Sequence, residues 1–381
     1  MRIALFWNYL FHYRVPFYER LEKVPGVDLT VFHGGEDPNR PVPSCRLSQP
    51  VSFESIPIKT REKAGFGAVV YFQSGMWKHL LTRHFDVIVC EGNFGILSNV
   101  LLALYSRLTR TRFLYWVAGF QRGAIRGFPA RLRRAYIRAV CRTADGYLCY
   151  GSEAERFLAS YGATGPCTII QNTVDTEAIE ASYERQTVIA DRMKRALGLF
   201  GKTVLLSVGV QVPKKKTELL IEAYRLLRAS RDDLALVIVG DGPLKQQLVS
   251  QVESQAISDV VFAGEVIDDV GAYFLMADIF VLPGLGGLAI NEAMAYGLPV
   301  VCAEGDGTEK DLVVPGVTGV LFRRDDAPDL ANKIQALLSD PDNVRRMGTL
   351  ARQHVYKVAS MSCMLDRFVS AVLPSPESRL A

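Results

Sequence analysis

Three things are scarce in this chain of 381 residues: histidine, paired cysteine motifs and long apolar runs. Each scarcity removes a class of function. The seven cysteines, at 45, 90, 141, 149, 167, 302 and 363, are odd in number and contain no CxxC or metal spacing, so they are expected to be reduced and mostly buried. The five histidines, at 12, 33, 79, 84 and 354, are scattered and form no zinc-like cluster, so no metal or other cofactor is expected. No apolar stretch approaches the ~20 residues that span a bilayer. The opening MRIALFWNYLFHYR is charged at Arg2 and has no small-residue cleavage site after a long apolar run, which reads as the first strand of a cytoplasmic protein. That strand is followed by NYLFHYR and not by a GxGxxG turn, which weighs against a dinucleotide dehydrogenase. Nucleic acid is not an expected partner, since zinc spacings and an RNP-type aromatic motif are both absent.

What is present fits a globular enzyme. Hydrophobic residues make up 49% and charged residues 22%. The length exceeds what one core usually serves, so two domains of roughly 180 residues are expected. Charge is unevenly spread: residues 1–170 hold 22 Lys and Arg against 12 Asp and Glu, whereas residues 171–381 hold 22 against 28. The densest basic stretch runs from Arg122 to Arg142. There Arg131, Arg134 and Arg138 share one helical face and Leu132, Tyr136, Ala139 and Val140 another. Two readings stay open, a solvated helix packed on the core by its apolar side and a helix lying on an anionic membrane surface.

Short apolar runs alternate with helical patterns, the signature of a doubly wound α/β fold. Strands are expected at 2–7, 27–33, 86–90, 112–117, 145–150 and 167–170, then at 203–209, 234–240, 260–263, 279–282, 299–302 and 319–322. The domains are placed at 1–180 and 181–360, with a C-terminal helix at about 361–381 packing back on the first. The polar, strand-free stretch 176–202 is read as the hinge between them, and ligands are expected at the carboxyl ends of the strands.

The densest motif is IFVLPGLGGLAINEAMAYGLPVV at 279–301. Gly284, Gly286 and Gly287 open a short helix, where free N–H groups and the helix dipole suit phosphate. Glu292, one turn inside, suits the diol of a ribose. The bland alternative is a tight turn followed by a solvated helix. Before this motif come, in order, SVGVQVPKKKTELLIEAY (207–224), LVIVGDGPLKQQL (236–248) and VVFAGEVIDDVGAYFLMADIFVLP (260–283). In the first half stand NYLFHYRVPFYERL, DGYLCYGSEAERFLASYG and IIQNTVDTE.

With these segments the chain resembles the retaining glycosyltransferases of family 4, in particular those of bacterial polysaccharide assembly. The resemblance implies the GT-B fold, two Rossmann-like domains facing each other across a cleft. It also implies a nucleoside-diphosphate sugar as donor and a lipid-linked or glycan acceptor. By the same resemblance Lys215 and Glu292 are the catalytic residues. The donor would be bound by Gly209, Lys214, Lys215, Gly240, Gly242, Gly264, Glu265, Val266, Gly286, Gly287, Leu288 and Glu292. The acceptor side would include His12, Tyr13, Arg14, Glu91 and Asn172. The chain departs from the family at three places: Gly284 replaces the first acid of a glutamate pair, Val210 replaces an arginine, and Ala118 or Gly119 replaces a histidine. A catalytically inactive sugar-nucleotide-binding subunit and a sugar-nucleotide epimerase are therefore kept as alternatives.

Overall fold

The computed structural model describes residues 1–34, 50–65, 68–92, 96–118, 128–303 and 307–373. The chain divides into two compact units. Met1–Gln171 with the C-terminal segment from Ser362 forms one, and Asn172–Met361 forms the other.

The first unit is built on eight strands: β1 (Arg2–Trp7), β2 (Asp28–Gly34), β3 (Glu54–Gly65), β4 (Ala68–Ser74), β5 (Val87–Glu91), β6 (Arg112–Val117), β7 (Gly146–Cys149) and β8 (Cys167–Ile169). Their order is β4-β3-β2-β1-β5-β6-β7-β8, parallel except for the β3/β4 pair. The parallel strands are apolar because both faces are covered, here by α1 (Val15–Glu22), α2 (Trp77–Thr82), α3 (Ser98–Thr109), α4 (Phe128–Cys141) and α5 (Ser152–Ser160). Strands β3 and β4 were not anticipated. β3 carries Glu54, Pro57, Lys59, Arg61, Glu62 and Lys63, residue types depleted in strands, and it is held by long-range pairing on both sides. Strand order reverses where β1 lies between β2 and β5, so a crevice opens at the carboxyl ends of β1 and β5.

The second unit repeats the plan with six parallel strands: β9 (Thr203–Val208), β10 (Leu234–Val239), β11 (Val260–Gly264), β12 (Ile279–Leu282), β13 (Val300–Ala303) and β14 (Gly319–Phe322). The order is β11-β10-β9-β12-β13-β14, so the reversal falls between β9 and β12. Its helices are α6 (Thr176–Ala196), α7 (Thr217–Arg228), α8 (Lys245–Ser254), α9 (Val270–Leu275), α10 (Leu288–Ala295), α11 (Thr308–Leu312), α12 (Ala327–Leu338) and α13 (Pro341–Val358).

One expectation is corrected here. The stretch 176–202 is not a hinge: α6 runs unbroken through residue 180, and Ile179, Ala190 and Leu199 sit in the core of the second unit. Its polar composition reflects a helix with only one buried stripe. The Asp175 side chain caps it, accepting from the Ala178 N–H at 3.1 Å.

The last helix, α14 (Met361–Val372), leaves that unit after Met361. Its Phe368 ring lies 5.3 Å from Phe17 and 5.4 Å from Trp116, and the Val372 carbonyl accepts from Arg112 Nη1 at 3.0 Å.

Candidate nucleotide-binding site

All the donor-side motifs gather at the carboxyl ends of β9, β10, β11 and β12, around the strand-order reversal of the second sheet. Backbone hydrogen bonds tie their turns together. The Gly209 N–H donates to Val239 O at 2.9 Å, Gly240 to Gly264 O at 2.7 Å, and Leu285 to Lys214 O at 2.9 Å. Gly240 has φ +121° and a Cβ on it would collide with the Gly209 carbonyl, so a side chain there has neither the conformation nor the room. Gly242 sits as tightly on the backbone of Gln211, which leaves 2.5 Å for a Cβ.

Gln211 was not singled out from the sequence, yet it knits this cluster. It is buried, its Nε2 donates to Gly209 O at 2.7 Å, and its Oε1 accepts from Thr217 Oγ1 at 2.7 Å. Its backbone also exchanges bonds with Asp241 and Leu244. A glutamine flanked by valines carries no recognisable signal; only the fold shows that it spans two turns.

The three consecutive lysines separate into different roles. Lys214 is exposed and contributes its carbonyl to Leu285. Lys216 pairs with Asp325 at 2.5 Å. Lys215 turns inward: its ammonium lies against Gly286 and 3.3 Å from where a Cβ on Gly209 would stand. Gly286 has φ +147°, and the bare backbone there lets the ammonium reach the mouth of α10. No side chain caps α10, whose N-cap is Gly287 and whose first residue is Leu288, so its first N–H groups point into the same space as that cation.

Glu292 follows one turn inside. Burial pushes its carboxyl up to about 7, and it has no hydrogen-bond or ion-pair partner among the described residues. Its neighbour Asn291 is fully buried, donating from Nδ2 to Asn172 O at 3.1 Å and to Thr173 Oγ1 at 3.3 Å. This fixes the turn of α10 that presents Glu292. Asn172, expected on the acceptor side, is the first residue of the second unit, and its carbonyl braces α10. Of the remaining donor-side residues, Glu265 is exposed, Val266 packs half-buried against the core, and Gly264 has φ +74° with Lys245 Nζ 3.3 Å from its Cβ position.

The departures have structural correlates. Gly284 faces the backbone of Lys214 and Lys215 so closely that a Cβ would meet the Lys214 carbonyl, with the Lys215 carbonyl carbon 2.5 Å away. No side chain fits. Val210 is exposed, as is Ala118, while Gly119 lies outside the described residues.

In the first unit the expected residues converge on the reversal between β1 and β5. Glu91, at the end of β5, accepts from the Asn8 N–H at 2.9 Å; burial pushes its carboxyl up, partly offset by that bond and by Arg14. His12, Tyr13 and Arg14 form a single 3-10 turn. Arg14 is buried, its guanidinium stacked over Trp7 at 4.1 Å and Trp116 at 4.8 Å, with Tyr150 at 5.3 Å. Cation–π contacts add to the charge interaction with Glu91, and among the described residues its Nε and Nη1 have no hydrogen-bond acceptor. A separate pocket of about 440 Å³ lies by the amino ends of β6 and β7, lined by Arg107, Arg110, Arg112, Thr143 and Asp145, the last of these being the first residue of the DGYLCY motif.

Helix α4 departs from expectation in one respect. Arg131, Arg134 and Arg138 are exposed as expected, but so are Leu132 and Ala139, and the core side is made by Ile137, Val140 and Cys141. The part of the basic stretch from 119 to 127 lies outside the described residues.

Two doubly wound units with glycine-rich turns, an inward lysine and a half-buried glutamate at a strand-order reversal define a doubly wound α/β protein with a candidate anion site. Comparison with known proteins gives the family. Residues 17–178 match the Glycosyltransferase Family 4 description and residues 189–354 match Glycosyl transferases group 1. Over its whole length the fold is that of HepE from Anabaena, crystallised with UDP (TM-score 0.75, 17% identity, 98% of this chain and 99% of that one). The chain belongs to the family 4 glycosyltransferases and has the GT-B fold. Among curated relatives, a GDP-mannose-dependent phosphatidylinositol monomannoside mannosyltransferase of Mycolicibacterium smegmatis is 29% identical over 209 residues, 52% of this chain and 53% of that protein. The Arabidopsis thaliana sulfoquinovosyl transferase is 29% identical over 231 residues, 58% of this chain and 43% of that one. The matched stretch thus spans about half the length of these relatives.

Proposed function

We propose that this protein transfers a sugar, with retention, from a nucleoside-diphosphate sugar to a lipid-linked or glycan acceptor. The observation that carries this reading is the convergence of the Lys215 ammonium, Gly286 and the uncapped mouth of α10, one turn from Glu292, whose carboxyl has no hydrogen-bond or ion-pair partner among the described residues. A cation and backbone N–H groups suit a diphosphate, and a buried carboxylate suits the two hydroxyls of a ribose. Transfer on one face of the sugar needs little acid–base machinery from the protein: the departing diphosphate takes the acceptor proton, while the site stabilises the charge that develops on it. Lys215 and the α10 amides supply that stabilisation without the missing Val210-position arginine. The relatives in Mycolicibacterium and Arabidopsis, named for glycosyl transfer, support the reaction class.

The absence of an acid at Gly284 fits an enzyme as well as a binding subunit. The backbone of the β9 turn fills that place, so the loss is built into the packing of the site.

The experiment is a transfer assay with the purified protein across a panel of nucleotide sugars, with and without lipid-linked acceptors, reading product anomeric configuration by NMR. A product with the donor's configuration is expected. Clear nucleotide binding without turnover would assign the chain to a binding subunit, and donor conversion without acceptor to an epimerase.

A further inference from the structure

Helix α3 ends beside the amino ends of β6 and β7, and there lies the pocket of about 440 Å³. Its cations come from three nearby positions. Arg107 stands in the last turn of α3, Arg110 follows the helix, and Arg112 opens β6. Among the described residues none of the three has a carboxylate partner. Arg107 donates from Nη2 to Arg142 O at 3.2 Å, and Arg112 from Nη1 to Val372 O at 3.0 Å. The Arg110 side chain has no hydrogen-bond partner among those residues. A guanidinium carries five N–H donors, so most of the donors around this cavity are left for a guest.

Arg110 also sits where the backbone disfavours it. It caps α3 with φ +58° and ψ +28°, its N–H donating to Ser106 O, in the left-handed region where glycine or asparagine ordinarily ends a helix. The residue in that conformation is here a cation on the cavity wall. The fourth charged group has the opposite sign. Asp145 Oδ2 accepts from the Phe113 N–H at 2.8 Å, which holds the carboxylate in place, and Oδ1 has no partner among the described residues. Ser106, Thr111 and Phe113 are buried, and the hydroxyls of Thr111 and Thr143 already donate to Phe85 O and Val140 O.

We infer that this pocket binds a small sugar phosphate, with the arginines on the phosphate and Asp145 accepting from a sugar hydroxyl. Planar N–H forks match phosphate oxygens. Inorganic phosphate alone would be repelled by Asp145, whereas a neutral sugar would leave three cations uncompensated. The volume is that of a small-molecule site. The pocket lies at the amino ends of the strands and the β1–β5 crevice at the carboxyl ends, so its guest is a second ligand and not the acceptor. Arg112 also holds the end of α14 through Val372, so an occupied pocket should slow hydrogen exchange in that helix. The inference stands on this pocket alone and does not depend on the transfer reaction.

The test is calorimetric titration of the full-length protein with glucose 1-phosphate, glucose 6-phosphate and mannose 1-phosphate, with inorganic phosphate and glucose as controls. At least one sugar phosphate is expected to bind more tightly than phosphate, and glucose not to bind. Arg107→Gln and Arg110→Gly should each weaken that binding roughly tenfold or more. Glycine takes the left-handed conformation freely, so Arg110→Gly should keep or raise the melting temperature, which separates a lost ligand contact from lost folding. Asp145→Asn should weaken the sugar phosphate and strengthen inorganic phosphate, a change of opposite sign that a purely structural role would not produce. Lys215→Ala should leave sugar-phosphate binding intact, because that lysine belongs to the α10 site. No binding across the three sugar phosphates would overturn the inference. So would affinity no better than that of phosphate, equal affinity in Arg110→Gly and wild type, or loss of the binding in Lys215→Ala.

Discussion

Glu292 combines two demands that pull its proton in opposite directions. In the free protein, burial raises its carboxyl from an ordinary 4.5 to about 7, so the folded state holds a proton that the unfolded chain releases earlier. Stability from this group is therefore present at acid pH, falls as pH rises from about 4.5 to about 7, and stays lost above that window. Glu292→Gln removes the titration. The variant's melting temperature should match wild type at the acid end of the window and exceed it at the alkaline end. Nucleotide affinity should move the other way: loss of a charge-assisted ribose contact costs about 1.5–3 kcal/mol, read by calorimetry above the window. A variant that binds nucleotide as well as wild type would remove the ribose role. Lys215→Ala should lower kcat with little change in melting temperature, since the ammonium is assigned to charge on the leaving diphosphate. The placement of Glu292 and Lys215 at one strand-order reversal was legible because their residue types stand at fixed places in an ordered motif. Gln211 and Asn291 were not, because what they do depends on turns and carbonyls far away in the chain, Asn172 in the case of Asn291.

At the scale of elements, legibility tracked hydrophobic pattern. Strands such as β1, β6 and β14 are continuous apolar runs, and their observed bounds coincide with those read from the sequence. β3 is charged and interrupted by Pro57, so its stabilising partners are the neighbouring strands and not its composition, whereas β4, AVVYFQS, does carry an apolar run that the sequence reading passed over. In α6 a polar surface hid a structural role: Ile179, Gln186 and Ala190 are its buried stripe, and Asp175 supplies the cap. Asp175→Ala should cost about 1 kcal/mol of stability, measured by denaturant unfolding. In α4, helical spacing alone cannot say which apolar residue faces inward, and Leu132 was read on the wrong side because the neighbouring α3, not the helix itself, decides where the core lies.

Across the whole molecule, both units obey one rule: chemistry-bearing residues sit where strand order reverses, Glu91 beside Asn8 in the first sheet and Lys215 beside Gly286 in the second. The cores beneath are apolar. Cys90, Cys141, Cys149 and Cys302 are buried, and burial pushes the first three thiols up. In the native protein these four should resist a thiol reagent until the chain opens globally, whereas half-buried Cys167 and Cys363 react earlier, as mass spectrometry of timed labelling would show.

The contact between Gly284 and the Lys214–Lys215 backbone also bears on how such a site can change over generations. An acid cannot return at this position by one substitution, because the turn after β9 already occupies its space. Gly284→Glu should therefore lower melting temperature and donor binding together. The turn would have to withdraw first, and it is held by the Leu285–Lys214 hydrogen bond and by Lys216 pairing with Asp325. Position 284 and the 212–216 turn are thus epistatically coupled, and the route back to a paired-acid site is closed to single steps.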